Sequence, residues 1–149
     1  MQACNYSAVC YSALNYGMVM RIFKTRWFGR FARRERITDA SLSEAIERAE
    51  SGLVDADLGG GIIKQRVARA GQGRSGGYRM LVAYRVGTRA VFLYGFAKRE
   101  RENIEPDELL SLREIGASWL AANTAALARA IEEGALQEVG DDQAKDHET

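Results

Sequence analysis

The chain has 149 residues, 46% of them hydrophobic and 28% charged, which fits one ordinary globular domain with or without tails. No stretch is long and apolar enough to cross a bilayer, and the first twenty residues carry no charged side chain, unlike the positive start of a secretory signal. Cys4 and Cys10 lack metal-type spacing, which argues against a disulfide scaffold or a zinc site. We therefore expect a cytoplasmic protein without a membrane segment, a metal or another cofactor.

The net charge of +1 conceals a strong segregation of charge along the chain. Residues 62–104 contain ten basic and two acidic residues, whereas residues 105–149 contain three basic and eleven acidic ones. Such a positive middle can steer a polyanion to one face of a protein. The same pattern also arises when solvated surface charges merely segregate, so both interpretations stay open on composition alone.

The predicted elements follow an irregular leader. Residues 1–19 show neither a helical stripe nor strict alternation, and we expect the natural domain to begin at Met20. A short strand is predicted at Arg21–Thr25. A first helix follows, with aromatic residues at helical spacing: Trp27, Phe28 and Phe31.

A second helix is predicted over residues 39–51. Ser41 and Glu44 resemble a capping box at its start, and Gly52 ends it. Its apolar stripe consists of Leu42, Ala45, Ile46 and Ala49. Three glycines at 59–61 then interrupt the chain before the basic region.

Three antiparallel strands are predicted next, at residues 62–68, 78–86 and 89–98. In the first of them, Lys64 and Arg66 alternate with Ile63, Gln65 and Val67. The last two strands are joined by Gly87-Thr88, which is predicted to form a two-residue hairpin turn with glycine at its first position.

The C-terminal part of the chain is predicted to be helical. Pro106 starts one helix, whose apolar face carries Leu109, Leu112, Ile115 and Trp119. A last helix is predicted over residues 125–139, followed by a disordered acidic tail at 141–149. The resulting plan is a leader at 1–19, a domain at 20–122, a C-terminal helical segment at 123–140 and the tail. This order of strands and helices predicts an α+β fold.

The glycine-rich basic segment at 64–79 is the most informative about function. Its glycines allow a close backbone approach and expose N–H groups, and its cations suit phosphate oxygens. The glycines are Gly71, Gly73, Gly76 and Gly77, and the cations are Lys64, Arg66, Arg69, Arg74 and Arg79. The segment is not a nucleotide-binding P-loop, because it lacks the Gly-Lys-Ser/Thr ending and precedes a strand. An ordinary glycine-rich loop on a basic protein is an equally good interpretation of these residues alone.

A second stretch, at residues 92–101, combines aromatic side chains with cations. Strict alternation would place Phe92, Tyr94, Phe96 and Lys98 on one face of the strand. Aromatic rings and cations suit unpaired bases and phosphates. Because aromatic residues in a central strand more often belong to the core, Lys98 and Arg99 are better candidates for a surface site than Tyr94.

Together, the two stretches resemble the RelE/ParE toxin superfamily, in its HigB-like branch. The matching motifs are Gly-Arg-Ser-Gly-Gly-Tyr-Arg at 73–79 and Gly-Phe-Ala-Lys-Arg-Glu-Arg-Glu-Asn-Ile at 95–104, and the likeness covers roughly residues 20–120. The resemblance implies a small α+β fold with a curved antiparallel sheet packed by N-terminal helices and a C-terminal helix. It also implies a type II toxin that cuts messenger RNA on the ribosome and so inhibits translation. Its partners would be the ribosome, messenger RNA and a HigA-like helix-turn-helix antitoxin.

The resemblance also assigns roles to individual residues. Arg79 would contact the scissile phosphate, and Arg99 would stabilise the transition state or the leaving group. Together with the residue chemistry above, the resemblance gives a predicted catalytic set of Arg79, Lys98, Arg99 and Lys64. The predicted RNA-binding set is Arg66, Arg69, Arg74, Gly73, Gly76, Gly77 and Tyr94.

The chain departs from the family pattern at the expected general base. Glu105 stands at the distance where RelE has a tyrosine, and His147, the one histidine, lies in the acidic tail. Lys64, Lys98 or Tyr94 could serve instead, a lysine if neighbouring cations lower its pKa. A metal mechanism is disfavoured because the basic region lacks a cluster of Asp, Glu or His ligands.

Two alternative functions stay open. One is a ParE-like toxin without nuclease activity that acts on a protein target such as DNA gyrase. The other is a catalytically inactive RNA-binding regulatory module, which would bind RNA with a steep salt dependence and cut nothing.

Overall fold

The computed structural model describes residues 20–68, 77–101 and 103–140. In chain order its elements are β1 (Arg21–Thr25), α1 (Arg26–Glu35), α2 (Asp39–Glu50), β2 (Ala56–Gly59), β3 (Ile62–Val67), β4 (Tyr78–Arg85), β5 (Arg89–Ala97), α3 (Pro106–Ala121), α4 (Thr124–Glu133) and β6 (Leu136–Val139). The predicted leader at 1–19 and the acidic tail at 141–149 lie outside the described residues. The same holds for Arg69, Gly71, Gly73, Arg74 and Gly76 of the glycine-rich segment.

The strands form one open mixed sheet in the order β2-β3-β4-β5-β1-β6. β1 runs parallel to β5, with Arg21 opposite Arg89, and the other neighbouring strands are antiparallel. The predicted antiparallel sheet therefore contains one parallel pair. The reason is the long crossover from β1 to β5, since parallel neighbours need such a connection.

Helices cover both faces of the sheet, which confirms the α+β class. Leu42 and Ile46 of α2 pack with Phe28 and Phe31 of α1 on one face, against side chains such as Phe92. On the other face, α3 and α4 pack over a second cluster that includes Phe23, Leu81, Val91, Leu120 and Leu127. Burying apolar side chains on both faces supplies the main stabilisation of such a layered domain.

The N-terminal helices begin at threonine caps. The Thr25 side chain accepts a hydrogen bond from the backbone N–H of Phe28 at 3.2 Å, and Thr38 does the same for Ser41 at 3.1 Å. The predicted capping box of Ser41 with Glu44 is therefore wrong. Glu44 instead forms an ion pair with Arg48 one turn later, at 3.1 Å.

The hairpin between β4 and β5 is one residue longer than predicted. Because Arg85 pairs with Arg89, the turn has three residues, with Gly87 at φ +74°. The Glu50 carboxylate anchors this turn by accepting a hydrogen bond from the Gly87 N–H at 2.9 Å and another from the Tyr84 hydroxyl.

The predicted last helix is correct only in its first part. α4 ends at Gly134, which adopts the left-handed conformation at φ +84°, and the chain then enters β6. β6 pairs antiparallel with β1, with Leu136 opposite Thr25. β2, which pairs with β3, was not predicted either.

The predicted apolar face of α3 packs on the second cluster except at Ile115, which is 46% exposed. Leu109, Leu112 and Trp119 are partly buried there, and Gly116 and Leu120 are buried beside them. A Cβ atom at Gly116 would lie 3.0 Å from Ala83 Cβ and 3.1 Å from Ile62 Cδ1. The absence of a side chain therefore lets α3 approach the sheet closely at this point.

Candidate functional site

A polar cavity of about 360 Å³ opens on the sheet beside Arg79, near the start of β4. It is lined by Asp55, Ala56, Lys64, Arg66, Arg79, Lys98 and Asn103. We call this the cationic pocket, since four cations face one carboxylate in it. The structure thus brings together Lys64, Arg66, Arg79 and Lys98, four of the residues predicted for catalysis or RNA binding, and those roles stay predictions.

Strand pairing explains why these cations converge. Arg66 of β3 lies directly opposite Arg79 of β4, and Arg79 lies opposite Phe96 of β5. Lys64 is two residues before Arg66 and therefore points to the same side of the sheet. Like charges directly opposite each other on neighbouring strands are destabilising. A bound anion between Arg66 and Arg79 would offset this repulsion.

Arg79 has an unsatisfied polar atom. The residue is half-buried, and its Nη1 nitrogen is buried without a hydrogen-bond partner among the described residues. Leaving a buried donor unpaired costs about 1–3 kcal/mol, and more when the group is charged. A bound oxyanion would offer this nitrogen the missing acceptor.

Asp55 and Asn103 frame the cationic pocket on two sides. Asp55 Oδ2 accepts a hydrogen bond from the backbone N–H of Arg66 at 2.7 Å, and Asp55 Oδ1 lies 3.9 Å from the Arg66 guanidinium. Lys64 Nζ donates to Asn103 Oδ1 at 3.5 Å. Asn103 belongs to the motif at 95–104, although no role was predicted for it, whereas no motif marked Asp55.

The turn after β5 carries the other predicted cations. The backbone N–H of Lys98 donates to the carbonyl of Gly77 at 3.1 Å, which ties this turn to the start of β4. Lys98 lines the cationic pocket, whereas Arg99 is exposed beside it and does not. The leaving-group role of Arg99 stays a prediction, as do the roles of Arg69, Gly73, Arg74 and Gly76 outside the described residues.

A β-bulge in β5 overturns the expected grouping of its aromatic residues. Tyr94 pairs with Leu81 and Phe92 with Val82, so Leu93 is an extra residue between them. Phe92 therefore points to the α1 side, where its ring centroid lies 5.1 Å from that of Phe28. The prediction that Phe92 shares a face with Tyr94 is wrong, because strict alternation cannot anticipate an inserted residue.

Tyr94 lies on the same face as the cationic pocket and is half-buried. Its hydroxyl accepts a hydrogen bond from Arg101 Nη1 at 3.3 Å, and its ring stacks on Trp27 with centroids 4.6 Å apart. Phe96, the next aromatic residue on this face, is buried and has the Arg101 guanidinium 5.4 Å from its centroid.

An ion pair next to the cationic pocket was not predicted. Arg101 Nη2 lies 2.6 Å from Glu108 Oε1, and this carboxylate also accepts a hydrogen bond from the backbone N–H of Glu105. The hydrogen bond from Arg101, assisted by that from Glu105, lowers the pKa of Glu108 below its ordinary value. Glu105 in turn caps α3, with Pro106 as the first helical residue. The Glu-Pro-x-Glu sequence was the signal that could have indicated this capping box.

Other kinds of site find no support in the part of the chain that the structure describes. Within residues 20–68, 77–101 and 103–140, no group of three or more His, Cys, Asp or Glu could hold a metal ion. None of the helices in these ranges combines the length and apolar character needed to cross a membrane. Cys4, Cys10 and His147 lie outside them.

Comparison with known proteins places this arrangement in a family. The family model described as the RelE toxin of the RelE/RelB toxin-antitoxin system matches residues 20–139. Comparison with curated proteins finds no match. The matched range contains every element from β1 to β6 and every residue that lines the cationic pocket. The chain therefore belongs to the RelE toxin family, the toxin component of a toxin-antitoxin pair, and a cognate antitoxin is its implied partner.

Proposed function

We propose that this toxin is a ribosome-dependent messenger RNA endoribonuclease of the HigB-like branch. It acts in the cytoplasm, inhibits translation and is neutralised by a HigA-like helix-turn-helix antitoxin. The observation that carries the proposal is the buried, unpaired Nη1 of Arg79 within the cationic pocket. A phosphodiester supplies both the negative charge and the acceptor oxygens that this site lacks.

The proposed chemistry uses the ribose next to the scissile phosphate. Its 2′-oxygen forms a bond to phosphorus while the bond from phosphorus to the 5′-oxygen breaks. The 2′-hydroxyl proton passes to a base on the protein, and the departing 5′-oxygen takes a proton from an acid. The products are a 2′,3′-cyclic phosphate and a free 5′-hydroxyl. Arg79 and Arg66 bind the non-bridging oxygens, on which negative charge accumulates in the transition state.

Lys64 is the proposed general base. It lies on β3 facing the cationic pocket, is half-buried, and its Nζ is oriented by Asn103. The competing candidates are engaged or more exposed: the Tyr94 hydroxyl accepts from Arg101, and Lys98 is exposed. Lys98 is proposed to protonate the leaving oxygen, with Arg99 beside it on the same turn. Acid–base assistance of this kind contributes about a hundred- to ten-thousand-fold to a rate.

The ribosome is proposed to arrange the substrate. The cationic pocket is open to solvent, so it can hold a phosphate without fixing the geometry of a flexible strand. A decoding ribosome presents messenger RNA in a fixed conformation, which supplies the alignment that such a reaction needs. We therefore expect slow cleavage of free RNA and codon-phased cleavage of translated RNA.

The test is induced expression of the full chain, followed by mapping of messenger RNA 5′ ends on translating ribosomes. New codon-phased ends are expected with the wild type and are expected to vanish with Arg79→Ala. The matched control is Arg85→Ala, which removes an exposed arginine at the opposite end of the same strand. This variant should cut like the wild type. Circular dichroism and thermal melting establish that both variants are folded.

Other outcomes would contradict the proposal. Full cleavage by a folded Arg79→Ala variant would remove the phosphate role from Arg79. Growth arrest without new 5′ ends would point to a ParE-like toxin with a protein target such as DNA gyrase. Absence of both arrest and cleavage would leave an RNA-binding regulatory module.

A further inference from the structure

Trp27 is the most exposed aromatic residue of residues 20–68, 77–101 and 103–140. Of its surface, 41% is exposed, whereas the other tryptophan, Trp119, is only partly accessible. An exposed aromatic ring is available to stack on a ring of another molecule. Its position in α1 makes it the second residue of that helix.

The ring of Trp27 is nevertheless firmly held. It stacks on Tyr94, with centroids 4.6 Å apart and 27° between the ring planes, and on Phe31, with centroids 5.6 Å apart and 14° between the planes. Phe31 is itself buried. A rigid, partly exposed aromatic surface is therefore present without any ligand, so little side-chain entropy is lost when another ring stacks on it.

This aromatic surface adjoins the cationic pocket. In one row across the sheet, Lys64 pairs with Leu81 and Leu81 with Tyr94. Neighbouring strands are about 4.8 Å apart, so Tyr94 lies roughly two strand spacings, or ~10 Å, from Lys64 on the same face. Trp27 stacks on Tyr94. The distance from Lys64 to Tyr94 is therefore comparable to the length of one or two nucleotides of an extended strand.

Cations also flank Trp27 on its other side. Arg30 follows it by one helical turn and Arg34 by two turns, and both residues are exposed. The Arg34 guanidinium lies 5.6 Å from the Phe31 ring centroid. Cations therefore lie on both sides of an exposed aromatic ring. Surfaces that bind single-stranded nucleic acid have this composition, with cations for phosphates and rings for bases.

We propose that Trp27, supported by Tyr94, is a stacking site for one unpaired nucleobase of the RNA strand whose phosphate binds in the cationic pocket. The proposal rests on the function proposed above and adds a base-binding site one or two nucleotides from the scissile phosphate. Arg30 and Arg34 bind the backbone beyond that base. Because every base has a π-face, this site contributes affinity and register and makes no choice among bases.

The test uses a background in which Trp27 is the sole tryptophan. The chain contains two tryptophans, so Trp119→Phe leaves Trp27 as the reporter. The probes are two single strands of about ten 2′-O-methyl nucleotides, within the usual range of site sizes. One is an oligoadenylate, and the other has the same backbone but consists of abasic residues. Neither contains the 2′-hydroxyl nucleophile, so binding is measured without cleavage.

Two readouts are expected to agree. The oligonucleotide with bases should quench Trp27 fluorescence, and the abasic one should bind, by anisotropy of a terminal label, without quenching. Trp27→Leu keeps an apolar side chain against Tyr94 but removes the indole, and it should weaken binding of the probe with bases by roughly tenfold. Binding of the abasic probe should not change. Trp27→Phe should restore most of the affinity.

The outcomes separate this proposal from the proposed nuclease. Equal quenching by both probes, or unchanged binding after Trp27→Leu, would overturn the stacking site, as would failure of the wild type to bind either probe. If the wild type binds and is quenched as expected but makes no codon-phased cuts on ribosomes, the stacking site stands and the nuclease proposal fails. If Trp27→Leu does not fold, quenching of Trp27 fluorescence in the Trp119→Phe protein still tests the stacking site.

Discussion

Gln65 is a fully buried polar side chain behind the cationic pocket. Its Oε1 accepts a hydrogen bond from the backbone N–H of Asp55 at 2.7 Å, and its Nε2 donates to the carbonyls of Ala45 at 2.9 Å and Leu53 at 3.2 Å. Gln65→Leu would leave all three backbone groups without this partner. We expect a loss of about 2–4 kcal/mol in the free energy of unfolding, measured by urea denaturation.

The matched control for Gln65 is Gln137→Leu, which changes the same side chain at an exposed position of β6. It should alter the free energy of unfolding by less than about 0.5 kcal/mol. Equal effects of the two substitutions would show that the buried amide contributes nothing specific.

The Arg101–Glu108 ion pair predicts a pH dependence. The pKa of Glu108 is lowered below its ordinary 4.5 in the folded protein, mainly by the Arg101 hydrogen bond. A lowered carboxyl pKa stabilises the fold above the unfolded pKa, and this contribution is lost as the pH falls through the folded value. Glu108→Gln should therefore be less stable than the wild type at pH 7, and the difference should close under acid conditions. Thermal melts at a series of pH values measure it. If the difference in stability between Glu108→Gln and the wild type persists at the lowest pH, it comes from the shape of the side chain and not from its charge.

At the scale of elements, α3 depends on a cation from the sheet. Arg89 Nη1 donates to the carbonyls of Trp119 at 2.8 Å, Leu120 at 3.2 Å and Ala122 at 2.8 Å. The last turn of α3 has no basic residue of its own, so Arg89 supplies the positive charge that a helix C-terminus favours. Burial, aided by the like charge of Arg85, lowers the pKa of Arg89, a cost that these three acceptors offset.

Arg89→Met, which keeps an unbranched side chain, should lower stability by about 2–3 kcal/mol. Hydrogen exchange should become faster in the last turn of α3 before it does elsewhere. Arg85→Met is the control, since Arg85 makes no such contact with the carbonyls at the end of α3. Uniform loss of protection across the sheet would contradict a role confined to this helix end.

The local sequence pattern correctly predicted those strands and helices that are marked by alternation, helical spacing or turn residues within a few positions. The alternation in β3 identified Lys64 and Arg66 as neighbours on one face, and the antiparallel pairing of β3 with β4 places Arg79 beside them. Other features depend on partners distant in sequence. The pairing of β6 with β1 joins the two ends of the described domain, which no local window contains. Nothing in the sequence marked Asp55 as a partner of Arg66, which follows it by eleven residues. The β5 bulge likewise has no glycine or other marker at Leu93.

At the scale of the whole molecule, β1 lies between β5 and β6. Phe23, in the middle of β1, is fully buried. Without β6, this strand would lose one of its two hydrogen-bonding neighbours and become an open edge, which is prone to aggregation. The first strand of the described domain is thus completed by its last.

This pairing has a consequence for synthesis. While the segment from Leu136 to Val139 is still being translated, β1 lacks its neighbour β6. The nascent chain therefore cannot complete the sheet. The described domain is completed only when its last strand has been made, and a chain interrupted before Leu136 would leave β1 as an open edge of the sheet.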